Sequence, residues 1–122
     1  MKFFVSPPEN PGGWGMEPAE LTSEVQRRWP GTVVRTTIPP DGFYAREWET
    51  TTPRGTCDAG LTGDGEGLVL DGPVEVCAEL ALWFRGLVPA EVPLLFYDES
   101  FSANVPVGPN TTIEELIDPF RA

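Results

Sequence analysis

Asp71–Pro89, DGPVEVCAELALWFRGLVP, and the Pro93–Val107 stretch that follows it, PLLFYDESFSANVPV, hold the densest apolar content of the chain, and the fold is read outward from them. Val76, Leu80 and Phe84 recur at helical spacing, as do Val74 with Ala78 and Cys77 with Ala81. Only Glu75, Glu79 and Arg85 interrupt an apolar surface that runs most of the way round, so the helix is expected to be covered on more than one side. Pro73 suits its first turn and Glu75 the positive end of its dipole. Gly86 is placed as a left-handed cap, with Leu87 folding back towards Leu82, and Pro89 prevents continuation. Leu94–Tyr97 then reads as a buried strand and Asp98-Glu99-Ser100 as a tip. Phe101, Ala103, Val105 and Val107 alternate inward on the return strand, whose end Pro106 demotes to an edge.

Upstream, Lys2–Val5 is a short apolar strand ended by Pro7 and Pro8, and PPENPGGWG is a loop with Trp14 as an anchor. Glu17–Trp29 is an amphipathic helix with Leu21, Val25 and Trp29 as its apolar stripe and Arg27 and Arg28 at its C-terminal end. Thr32–Ile38 is β-branched and reads as a strand, which a right-handed crossover would set parallel to the first. Pro39-Pro40-Asp41-Gly42 turns the chain into a strand over Phe43–Thr52. Strands Thr56–Thr62 and Leu68–Leu70 flank a GDGEG hairpin tip. Thr112–Asp118 is a closing helix, with a capping box at Thr111 and Glu114 or at Thr112 and Glu115. The order β-α-β-β-β-β-α-β-β-α implies one α+β domain over residues 1–122. Its architecture is a two-layer sandwich, a mixed and mostly antiparallel sheet with helices packed on one face.

With 122 residues and 40% apolar content, the chain can bury a core without disulfide or metal staples. Its N-terminus lacks the apolar length of a signal peptide and no stretch reaches transmembrane length, so the expected location is cytoplasmic. Seven arginines against one lysine suit a GC-rich, bacterial source. Cys77 reads as a small core residue and Cys57 as a strand residue, and two cysteines make no disulfide framework.

Histidine is absent, which removes the commonest general base and metal ligand and every imidazole-dependent triad. No nucleophile elbow, phosphate loop or calcium loop is present. No catalytic, metal or cofactor residues are assigned, and the chain is not expected to be an enzyme. The net charge of −11 is lopsided: residues 1–56 carry seven acids and six bases, residues 57–122 twelve acids and two bases. Such a field repels nucleic acid and anionic membrane and attracts basic proteins. The expected function is therefore an immunity- or antitoxin-type inhibitor that binds and neutralises a basic partner such as a toxin or nuclease. Its acidic contacts are placed at the tips, Asp64, Glu66, Asp98 and Glu99, with Glu75 and Glu79 nearby. Two alternatives come from other classes. One is a non-catalytic adaptor docking through an aromatic strand face, Tyr44 and Trp48 about Arg46, unless a helix covers that face. The other is a carboxylate-based enzyme or small-ligand binder beside Tyr97–Glu99.

Overall fold

The computed structural model describes residues 2–8, 15–35, 44–62 and 65–121. Strands β1 (Lys2–Ser6), β2 (Val33–Arg35), β3 (Tyr44–Thr52), β4 (Gly55–Thr62), β5 (Leu68–Asp71), β6 (Leu95–Asp98) and β7 (Asn104–Pro106) form a seven-stranded sheet. Its order is β2-β3-β4-β5-β1-β6-β7, and every neighbouring pair is antiparallel. Helices α1 (Pro18–Arg28), α2 (Val74–Leu87) and α3 (Ile113–Ile117), with a 3₁₀ turn over Asp118–Phe120, complete an α+β sandwich. The loop around Trp14, the turn at 39–42 and Asp64 lie outside the described residues, as does the end of the strand expected to reach Ile38.

The first two strands are not partners. β1 lies between β5 and β6, separated from β2 by three strands. β3, β4 and β5 zip together through short turns, while β5–α2–β6 is a crossover whose gap admits one more strand. Phe3 and Val5 make β1 the apolar strand that fits this central gap. β2 is three residues long with Val33 57% exposed, and it suits an edge.

Side-chain alternation assigns the two faces. Val34, Trp48, Ala59, Leu70 and Phe3 stand in register across one of them, and the next row carries Leu61, Leu68, Val5 and Phe96. These are the residues the helices bury. α1 lies on β3 through Leu21 and Val25, and α2 lies on β1, β4 and β5 through Val76, Ala81 and other fully buried side chains. Each large apolar side chain buried in this way contributes about 1.5–3 kcal/mol. α3 packs against α2, and Phe120 meets Phe3 and Phe96 edge-on at 5.3 and 5.5 Å, so α2 is covered on two sides. The capping box forms at Thr112 and Glu115.

The end of α2 differs from the sequence reading. Gly86 stays helical, and the helix stops at Val88, which adopts φ −88° and ψ 140°. Pro89 drives its predecessor out of the helical region, so no left-handed glycine is needed. Arg85 is buried rather than left on a charged strip. Its Nη1 donates to the carbonyls of Val92 at 2.7 Å and Val107 at 3.3 Å, and its Nη2 to those of Val88 at 3.3 Å and Pro89. One guanidinium thus satisfies the carbonyls of the α2–β6 connection and of the segment after β7. Burial pulls its pKa below the ordinary arginine value, with Glu91 opposing. Phe101 also departs from expectation, being 58% exposed rather than inward.

Cys57 and Cys77 are both buried and unbonded, with Sγ atoms 3.8 Å apart across the β4–α2 contact. The Cys57 hydrogen bond and then burial push the Cys77 thiol far up. Thiolate is the reactive form of Cys77, and burial keeps a thiol reagent from either sulfur, so both are expected to be inert in the folded protein. Labelling should track global unfolding, and rapid labelling in buffer without urea would contradict the burial.

Arg85→Lys removes the planar fork while keeping the charge. One ammonium cannot reach four carbonyls, and the orphaned acceptors should cost about 2–3 kcal/mol. Urea unfolding is the measurement, and an unchanged midpoint would show the fork to be dispensable.

Candidate interaction surface

The second face of the sheet carries none of the three helices. Val33, Glu49, Asp58, Asp71 and Lys2 stand in register across it, and Glu47, Gly60, Val69, Phe4, Tyr97 and Asn104 form the adjacent row. Three consecutive strands therefore place Glu47, Glu49, Asp58 and Asp71 on one half of the face. Gly60 has no side chain, and its place in the row opens a hollow of about 240 Å³ lined by Lys2, Glu47, Asp58, Ala59, Gly60, Val69 and Asp71.

The other half is aromatic. The Phe4 and Tyr97 rings stack at 5.3 Å and the Tyr97 and Phe101 rings at 4.7 Å, while Tyr97 Oη and Ser6 Oγ share a hydrogen bond of 2.9 Å. Phe101 closes this ladder from a left-handed backbone, φ 56°, a region that bulky residues rarely enter. Asp98 holds it there. The Asp98 carboxylate accepts from the Ser102 N–H at 2.8 Å, from Ser100 Oγ at 3.3 Å and from Ser102 Oγ, while the Phe101 N–H donates to the Asp98 carbonyl at 3.0 Å. The Ser102 hydroxyl is the main reason the Asp98 carboxyl sits below its usual range, and burial works against it.

The residues chosen from sequence are dispersed. Asp98 is 4% exposed and committed to its turn, and Glu66 is 8% exposed, so neither is a surface carboxylate at a tip. The reason is local: Met16 donates its N–H to the Gly65 carbonyl at 2.7 Å, holding the segment beside Glu66 against the chain before α1, and Asp98 serves as an internal acceptor. Trp48 is 1% exposed beneath α1, where its Nε1 donates to Thr22 Oγ1 at 3.3 Å. A helix covers that face, so Trp48 is no docking anchor. The side chain of Tyr44 and all of Asp64 lie outside the described residues. Glu99 remains on the surface beside Phe101. Glu79 belongs to the helical layer and pairs loosely with Arg28 and Arg54.

Sequence reading gave no role to Glu47, Glu49, Asp58 or Asp71. Glu47 and Glu49 alternate along β3 while β4 and β5 carry one acid each, and the four become a cluster only once the register is known. Among the described residues, no group of three or more His, Cys, Asp or Glu side chains is arranged to hold a metal ion. None of the described helices is long and apolar enough to cross a membrane. Comparison with protein families, with curated proteins and with solved structures finds no match.

Asp98→Asn weakens three accepted hydrogen bonds and should cost about 1–3 kcal/mol at neutral pH. A depressed folded-state pKa stabilises the fold above the unfolded carboxylate pKa of about 3.9, and this contribution is lost as pH falls through the folded value. The gap between wild type and variant in thermal midpoint should therefore close on acidification, and a gap independent of pH would refute the role of the charge.

Proposed function

We propose that this protein binds a basic partner protein through the open face of its sheet and neutralises it, as an immunity- or antitoxin-type inhibitor does. The observation that carries the reading is the alignment of Glu47, Glu49, Asp58 and Asp71 on one half of a face whose other half carries the Phe4–Tyr97–Phe101 ladder, with Phe101 at its exposed end. Carboxylates spread over three strands raise the encounter rate with a cationic surface, and a desolvated aromatic patch slows departure. A net charge of −11 disfavours nucleic acid and anionic lipid as the ligand, and it disfavours a second copy of this same face. A basic toxin or nuclease is the partner class that matches, because carboxylates there take the place of substrate phosphates.

The adaptor reading keeps one supporting observation, the 58% exposure of Phe101. Its anchor is then Phe101 rather than Trp48, and its binding would resist salt. Catalysis by Asp98 finds no support: a carboxyl held ionised by its own turn is a poor proton donor at neutral pH.

The test is capture from a lysate of the source organism, followed by association kinetics with the purified partner. The captured protein should be basic, and its association should slow steeply with salt. Glu47→Gln with Glu49→Gln should slow association about threefold to tenfold at low salt with the thermal midpoint kept. A neutral or acidic partner, or kinetics indifferent to both salt and the amides, would overturn the reading.

A further inference from the structure

A second concavity lies on the helical side of the molecule, remote from the open face. The end of α1, the middle of α2 and the start of α3 enclose a cleft of about 510 Å³, with Arg54 from the β3–β4 turn at its mouth. Trp29 and Trp83 meet edge-on at 5.4 Å in its wall, and the Arg28 guanidinium stacks 4.8 Å above the Trp29 ring. Leu82 and Ile113 supply further apolar surface, while Glu79 and Glu114 balance the two arginines. The lining is thus formally neutral in a chain of net charge −11, and an anion is not repelled here as it is elsewhere.

Its polar groups are incompletely used. Arg28 Nη2 stands 4.0 Å from Glu79 Oε2 and Arg54 Nε 3.7 Å from Glu79 Oε1, both beyond hydrogen-bond length. Glu79 Oε1 is buried and accepts no hydrogen bond, and Trp29 Nε1, in a residue 6% exposed, donates none. Long, partly exposed ion pairs contribute little, so little is lost when a ligand draws Arg54 or Arg28 away from Glu79. Guanidinium forks match a carboxylate, and Trp83, Leu82 and Ile113 offer an apolar bed.

We propose that this cleft binds an N-acylated amino acid with a free carboxylate and an apolar side chain, the chemistry of a peptide C-terminus. Arg28 and Arg54 take the carboxylate, and the side chain lies along Trp83, Leu82 and Ile113. The proposal is independent of the partner assigned to the open face.

Titration of the ¹⁵N-labelled protein with N-acetyl-L-leucine, followed by the indole N–H resonances, tests it. Saturable shifts of the Trp29 and Trp83 signals are expected, and N-acetyl-L-leucinamide, without the carboxylate, should leave them in place. Arg54→Gln should weaken binding about tenfold or more at an unchanged thermal midpoint, with Arg28→Gln as the second variant should the first unfold. A short peptide ending in leucine separates the two sources of the ligand: tighter binding than the acetylated residue identifies a protein tail, and equal binding a free acylated amino acid. No saturable shift with either probe, equal shifts with the amide, or full binding by both arginine variants would overturn the proposal.

Discussion

The insertion of β1 between β5 and β6 is the constraint on which the rest of the structure depends. β5 and β6 run in the same direction on either side of it, joined over the helical face by α2. β1 supplies the N–H and C=O partners that both neighbours need, and without it their inner edges would be unpaired. Phe3 and Val5 point from β1 into the helical layer, where Phe3 stacks on Phe96 at 5.4 Å and meets Phe120. Lys2 and Phe4 point the other way and join the acidic half of the open face to its aromatic half. One five-residue strand thus closes the sheet, contributes to the core and joins the two halves of the open face.

Arg85 performs the matching service at the far end of α2. The connection from Val88 to Leu94 has little regular structure of its own, and its carbonyls would otherwise face an apolar interior. A buried cation without a carboxylate partner is costly unless its donors are met. Here they are met by the backbone, and the carbonyl dipoles that cap α2 favour a positive charge at a helix C-terminus. This places the charge in the helical layer and leaves the open face to be governed by the carboxylates of β3, β4 and β5.

Elements with a local cause were legible in the sequence. α2, α1 and the capping box of α3 rest on periodicity and caps within a dozen residues, and they form at or near the expected bounds. What pairs with what was not legible. Two strands joined by a helix suggested a parallel neighbour, yet β1 joins strands that lie more than sixty residues further along the chain. The surroundings of the chosen acids were illegible for the same reason. Asp98 and Glu66 looked like solvated tips because adjacent turn acids usually are, and their burial depends on Ser102 and on the approach of Met16. Asp58 and Asp71 looked ordinary because only the register Glu49–Asp58–Asp71 makes neighbours of them.

Phe101 shows how the two halves of the open face differ in kind. The carboxylates occupy relaxed strand positions and need no further support. An aromatic residue in the left-handed region carries about 1–2 kcal/mol of strain that glycine would avoid. That strain persists because the Asp98 carboxylate gathers Ser100 and Ser102 about the turn, and because the ring recovers contact by stacking on Tyr97. Neither interaction requires the outer side of the ring to face water. A glycine at this position would relax the turn without loss to the core. The strain is thus offset by the turn and by the stacking on Tyr97, and the ring stays 58% exposed at the end of a charged face.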